Sequence, residues 1–197
     1  MYADDTVIYF SHKDPHTVQS ILRNELVNLD RWITKNRLKI NYDKTVSMLI
    51  GNKHMLKKYN RLDLSIKGHV INQVESVKYL GMYIDAELKW DVHINHLCKK
   101  VGRMISFLRR LRYFINRKHL NLIYQTVILP HLDYADIIWQ SSSEQLVNHL
   151  QKLQNRAGRI ILKIKPQLHF SIASMHEILK MANFEISPDL SCSNYNV

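Results

Sequence analysis

Met1-Tyr2-Ala3-Asp4-Asp5-Thr6-Val7-Ile8-Tyr9-Phe10 places two adjacent carboxylates directly before a β-branched and aromatic run. The composition of Val7 to Phe10 predicts a short strand. Neighbouring side chains on a strand point to opposite faces, so Asp4 and Asp5 can reach one site only where the chain bends, at the tip of a hairpin. Side by side there, they offer the hard oxygen ligands that hold Mg²⁺ best. In solvated turns the same residue pair is common and binds nothing, so the surrounding sequence decides its weight.

Asp14-Pro15 offers a helix N-cap followed by proline at the first helical position. Val18, Ile21, Leu22, Leu26, Leu29, Trp32 and Ile33 recur at three- and four-residue steps, which predicts an amphipathic helix ending near Asn36, with Arg23, Glu25 and Arg31 in water. From Leu38 the pattern becomes β-like: Leu38 to Ile40, Thr45 to Ile50, Leu64 to Val74 with a turn at Lys67-Gly68, and Val77 to Ile84, together a small sheet. Trp90-Asp91 opens a second helix whose stripe is Ile94, Leu97, Cys98, Val101, Met104, Ile105, Leu108 and Leu111. Helix is expected to continue to about Ile164. Pro130 should end one helix near Leu129 before a short one at Tyr134 to Trp139, and Ser141-Ser142-Ser143 should cap another carrying Leu146, Leu150, Leu153 and Ile160. Beyond Pro166 periodicity is lost and no role is assigned.

The blocks after Asp5 add specificity. Tyr2-Ala3-Asp4-Asp5 resembles the Y-x-D-D motif of reverse transcriptases. Trp32-Ile33-x-x-Asn36-x-Leu38-x-Ile40-Asn41-x-x-Lys44-Thr45 resembles the next palm block of the LINE/jockey-type, non-LTR retrotransposon enzymes. Lys78-Tyr79-Leu80-Gly81, followed by Ile84-Asp85, Leu88-x-Trp90 and His93-Ile94, resembles their primer-grip block leading into the thumb. Several spaced motifs in the family's order, covering about residues 1 to 165, are far more specific than any one alone.

The resemblance implies an α+β fold: a partial palm at residues 1–86, in which a small antiparallel sheet packs a helix, then an all-helical basic thumb with following helices at 87–165, and a poorly defined tail at 166–197. It implies RNA-directed DNA polymerase chemistry of a transposable element, a nucleotidyltransferase adding nucleotides to a primer 3′ end with Mg²⁺ or Mn²⁺. Two ions about 4 Å apart activate the attacking hydroxyl and neutralise the leaving pyrophosphate. Asp4 and Asp5 match the metal-binding carboxylates, Asp4 as the stronger ligand. Lys44 matches a palm lysine near the incoming nucleotide; donating a proton to pyrophosphate, steadying the triphosphate and closing a sheet edge all remain open roles. Tyr79, Leu80 and Gly81 match the turn holding the primer end, with Gly81 permitting close approach to phosphate or simply forming a bulge. A further palm aspartate, the fingers and the strand pairing with the one after Asp5 would precede Met1 in the family. The chain is therefore expected to be a fragment that does not polymerise alone, with self-association through an exposed sheet edge.

Lys99, Lys100, Arg103, Arg109, Arg110, Arg112, Arg117 and Lys118 occur without one acid among them. Solvated helix faces usually mix signs to gain i,i+4 pairs, so a one-signed run fits salt-dependent, sequence-independent contact with an RNA template and DNA primer, or with the RNA–DNA duplex. Tyr113 and Phe114 are expected in the core rather than stacked on bases. The whole chain agrees in sign: 28 lysines and arginines against 17 acids give +11. A non-enzymatic nucleic-acid-binding remnant, in which Asp4-Asp5 is vestigial, is the second reading, and a truncated gene copy without selected function the third.

Cys98 and Cys192 form no C-x-x-C pair, which indicates neither a disulfide framework nor a zinc site and fits an intracellular location, cytoplasmic or nuclear. His93 and His96 share helical spacing but no third ligand accompanies them, and His176-Glu177 has Lys180 where a zincin motif needs histidine. No apolar run long enough to span a bilayer occurs, and no membrane partner is expected.

Overall fold

Asp14 begins the first helix as its sequence predicts. In the computed structural model, which describes residues 5–59, 61–139, 142–164 and 171–179, its carboxylate accepts from the backbone N–H of His16 at 3.2 Å and of Thr17 at 3.0 Å. Pro15, whose missing N–H costs nothing at this position, then opens α1, Pro15–Lys35. The helix ends at Asn36 in a Schellman closure: Arg37 N–H donates to Thr34 at 3.1 Å and Leu38 N–H to Ile33 at 3.0 Å, with Arg37 left-handed at φ 55°. That closure consumes the donors at Leu38, and residues 38–40 form no strand, contrary to their composition.

After a 3₁₀ turn at Tyr42–Lys44 come β1 Val46–Ser47, α2 Lys53–Lys58, β2 Ser65–Ile66, β3 His69–Val70, β4 Asn72–Gln73, β5 Ser76–Tyr79 and β6 Met82–Asp85. The expected single antiparallel sheet is instead three two-stranded pairings, of which β1–β4 is parallel. β2–β3 and β5–β6 are antiparallel hairpins with two-residue turns at Lys67-Gly68 and Leu80-Gly81. All four turn residues have positive φ, the condition that a type I′ turn imposes on both central positions. Helix α2, capped by Asn52 accepting from Met55 N–H at 2.8 Å, lies in a stretch for which no element was expected. Leu62, Leu64 and Ile66 alternate with exposed Arg61, Asp63 and Ser65, and join Leu49 and Ile71 in a small core against which Leu22 and Leu26 of α1 pack.

Two expectations fail at the start of this unit. Val7 to Phe10 form no ladder with any described segment and remain exposed; a β-prone run becomes a strand only when its N–H and C=O groups are paired. The α1 stripe is likewise half covered: Val18 is buried, but Trp32 is 47% exposed. Leu29 and Trp32 line an open groove with Thr6, Ile8, Glu25 and Asn28, because the small core reaches only the first half of the helix.

The described chain divides into two compact units between Leu88 and Lys89. The second comprises α3 Asp91–Leu111, α4 Arg117–Ile123, a π-helical turn Tyr124–Ile128, α5 Leu129–Asp133, α6 Asp136–Trp139, α7 Glu144–Ile161 and α8 Ile172–Leu179. Trp90, left-handed at φ 65° and buried, starts α3. Its buried face is Ile94, Leu97, Cys98, Val101, Ile105 and Leu108, with Met104 and Leu111 at the margin. Pro130 does not end a helix. The π turn widens the rod from Arg117 to Asp133 just before it, Leu129 N–H bonding back to Tyr124, and Pro130 sits in the first turn of α5 where no donor is needed.

Helix α7 packs on α3 and α8. Its buried face runs Val147, Leu150, Gln154, Ala157, Gly158, Ile160 and Ile161, so Leu150 and Ile160 of the expected stripe are buried while Leu146 and Leu153 lie half-buried at its margin. Ser143 occupies the N-cap position but its hydroxyl makes no capping bond, and Ser141 lies outside the described residues. Beyond Pro166, where no periodicity was legible, α8 buries Met175, His176 and Leu179. Helices joined to short two-stranded pairings make the described chain α+β in content.

Candidate functional site

Asp5 is exposed and takes part in a one-residue β-bridge; Asp4 and Tyr2 lie outside the described residues. Among the described residues no three histidines, cysteines or acids converge as a metal site. Asp5 by itself, among the described residues, does not make a two-metal centre. Lys44 is exposed at the end of the 3₁₀ turn, where its N–H bonds to Asn41, two residues before β1. Leu80 and Gly81 form the β5–β6 turn at φ 47° and 84°, and Tyr79 closes that hairpin opposite Met82. Gly81 is therefore a turn residue and not a bulge.

The eight basic residues of the second unit separate by position. Lys99, Arg103 and Arg110 recur at i, i+4 and i+11 on the side of α3 opposite its buried face, with Ser106 between them. Lys100 lies to the flank, half-buried, its ammonium donating to His131 Nδ1 at 3.4 Å. Arg109 and Arg110 end α3, Arg112 follows its last turn, and Arg117 and Lys118 open α4. Those last two cations stand where the helix dipole favours anions, so the fold itself gains nothing from their charge. Among the described residues none of the eight forms an ion pair.

Tyr113 and Phe114 are not in the core. They are 76% and 84% exposed in the α3–α4 turn, and Phe107 is exposed on the last turns of α3. The core side of this corner is taken by Leu108, Leu111 and Ile115, which leaves the rings facing water.

A second basic row escaped the sequence reading. Lys152, Arg156, Arg159 and Lys163 are all exposed and recur at i, i+4, i+7 and i+11 along α7, preceded by His149. The signal was present as spacing, but it needed the buried face of α7 to be placed before it could be seen as one edge. Lys163 is left-handed at φ 55°, where its N–H and that of Ile164 close the helix onto Ile160 and Arg159.

Two histidines, His93 and His176, are accounted for by packing. His93 is buried, and burial, with His96 adding to it, lowers its pKa below the usual 6.5. His176 bonds to Asn155 Oδ1 at 2.7 Å between α8 and α7. Burial pushes the Cys98 thiol up to about 11, an inert core cysteine. No described helix is long and apolar enough to cross a membrane.

No protein-family model matches the chain, and no solved structure matches it. Curated proteins do. Over 166 residues it is 27% identical to the "Probable RNA-directed DNA polymerase from transposon BS" of Drosophila melanogaster, covering 81% of this chain and 18% of that protein. It is 26% identical over 164 residues to the RNA-directed DNA polymerase from mobile element jockey of the same organism, covering 81% and 17%. It is 24% identical over 174 residues to the Pol polyprotein from type-1 retrotransposable element R1 4 of Nasonia vitripennis, covering 79% and 44%. The chain thus spans less than half the length of each of these relatives.

Proposed function

We propose, from the premise that this chain is a relative of the RNA-directed DNA polymerases of non-LTR retrotransposons, that it is a nucleic-acid-holding part of such an enzyme. Residues 1–86 act as palm and 87–165 as thumb. The observation that carries this reading is the one-signed field of the second unit: Lys99, Arg103 and Arg110 outward on α3, Arg109 and Arg112 at its end, Arg117 and Lys118 at the start of α4, none of them in an ion pair within the described residues. Cations with no carboxylate partner are available to phosphates, and each phosphate neutralised releases counterions. The field takes template–primer duplex without reading sequence.

The palm roles rest on kinship and on the motifs. Asp4 and Asp5 hold a divalent cation, Mg²⁺ or Mn²⁺, and Lys44 serves the incoming nucleotide. Tyr79, Leu80 and Gly81 present the turn that supports the primer end. Two adjacent carboxylates fall short of the set that bridges two ions, so the 197-residue chain alone does not extend a primer.

The test is fluorescence anisotropy with an RNA–DNA duplex across a salt series, beside a primer-extension assay with Mg²⁺. Binding that weakens linearly in log affinity against log salt, with no extension, is the expected result. Salt-insensitive or absent binding overturns the reading, and extension by the purified chain overturns the predicted inactivity.

A further inference from the structure

The corner between α3 and α4 combines features that duplex binding does not require. Tyr113 and Phe114, adjacent in sequence, are 76% and 84% exposed, and Phe107 stands exposed nearby on α3. The turn that carries them is pinned: Arg112 N–H bonds to Leu108 at 3.1 Å, Phe114 N–H to Leu111 at 2.9 Å and Ile115 N–H to Leu111 at 3.1 Å. The backbone that carries Tyr113 and Phe114 is therefore fixed, and their rings stand in water. Cations attend them, with the Arg110 guanidinium 5.8 Å from the Phe107 ring centroid and that of Arg112 5.6 Å from Tyr113. Arg109, Arg117 and Lys118 follow within a few residues, with no acid between.

Exposed aromatic rings in a purely basic setting suit one class of ligand. A protein surface covering three rings would bury five or more unpaired positive charges, at heavy desolvation cost. A duplex offers phosphates but keeps its bases stacked on one another. A single strand offers both phosphates and free base faces, and proteins that hold such strands pair aromatic platforms with cationic grooves. We infer that this corner is a stacking platform for unpaired nucleotides, with Tyr113 and Phe114 receiving bases and Arg109, Arg112, Arg117 and Lys118 their phosphates. The straight rows on α3 and α7, which present cations with few exposed rings, contact backbone only. The inference rests on the nucleic-acid reading above and adds that single-stranded and duplex ligands depend on different residues.

The experiment uses the full chain, a fluorescent twelve-nucleotide single-stranded RNA, and an RNA–DNA duplex of the same length. The double substitution Tyr113→Ala with Phe114→Ala should weaken single-strand binding by about tenfold or more and leave duplex binding within about twofold. Phe114→Tyr should retain both. Because both rings are exposed, the thermal midpoint should not move. Independently, the fluorescence introduced by Phe114→Trp should be quenched by the single strand and not by the duplex. Equal loss on both ligands, or no loss on either, overturns the platform while leaving the nucleic-acid reading intact. Failure of the parent chain to bind the duplex overturns that reading itself. Ring-dependent binding to vesicles containing phosphatidylserine in preference to RNA assigns the corner to a membrane surface and refutes the inference, as does loss of a dimer in sedimentation on replacing the rings.

Discussion

The Lys100 ammonium donates to Nδ1 of His131 at 3.4 Å, joining the flank of α3 to α5. This contact requires a neutral imidazole. Burial first, and the Lys100 charge second, pull His131 below its ordinary 6.5, and burial with His96 does the same to His93. In the unfolded chain both titrate near 6.5, so below that pH the unfolded state takes protons that the fold refuses. Stability from these groups is present above about pH 6.5 and is lost as pH falls through their lower folded values. The thermal midpoint should drop between pH 7.5 and 5.5, and the drop should shrink in the His93→Gln, His131→Gln double variant. Asp133, raised above 3.8 by burial and by Asp136, acts in the opposite sense at lower pH, which is why the comparison is made against that variant.

The same contact ranks the basic residues. Lys100 is half-buried and engaged with His131, whereas Arg103 faces water. Arg103→Ala should therefore weaken RNA–DNA duplex binding and lower the salt slope by about one, and Lys100→Ala should do so less. Anisotropy at several salt concentrations measures both. A larger effect at Lys100 would place the duplex on the flank of α3 and not on its outer face.

Replacing Asp4 and Asp5 together by alanine should leave duplex affinity within about twofold, because neither carboxylate belongs to the cationic field and the loss of two negative charges slightly favours a polyanion. A large fall in affinity would show that the pair supports the fold or holds nucleic acid through bound metal.

Gly158 is buried on α7, and a Cβ there would lie 2.6 Å from the Met175 sulfur and 3.0 Å from its Cγ. Gly158→Val should cost about 1–3 kcal/mol by overpacking and loosen α8 from α7. Denaturant unfolding gives the magnitude, and faster amide exchange at residues 172–179 locates it.

Arg37 adopts φ 55° at the end of α1, where glycine pays no Cβ penalty. Arg37→Gly should raise stability by about 1 kcal/mol. An unchanged or lower denaturation midpoint would mean that the Arg37 side chain makes a compensating contact.

Much of the local structure was legible because its causes are local. Asp14-Pro15 began a helix through a side chain and a missing donor two residues apart. Lys67-Gly68 marked a hairpin because tight turns demand positive φ there. The stripe of α3 followed from helical period, and kinship with the retrotransposon polymerases from motifs in order. Pairing was not legible. The run Val7 to Phe10 has strand composition and no ladder, β1 pairs in parallel with β4 from 26 positions away (72 − 46), and Pro130 passes inside a rod because a π turn makes room for it.

The sequence by itself determined the charge of this protein, its motifs and the periods of its helices, since these depend on residue identity and neighbours a few positions apart. Only the tertiary structure decided which faces are covered. It turned Lys100 toward His131, left Tyr113 and Phe114 in water although their composition suits a core, and set the α7 cations in one outward row. The physical reason is that burial belongs to pairs of surfaces: an apolar residue enters the core only where another element arrives to cover it.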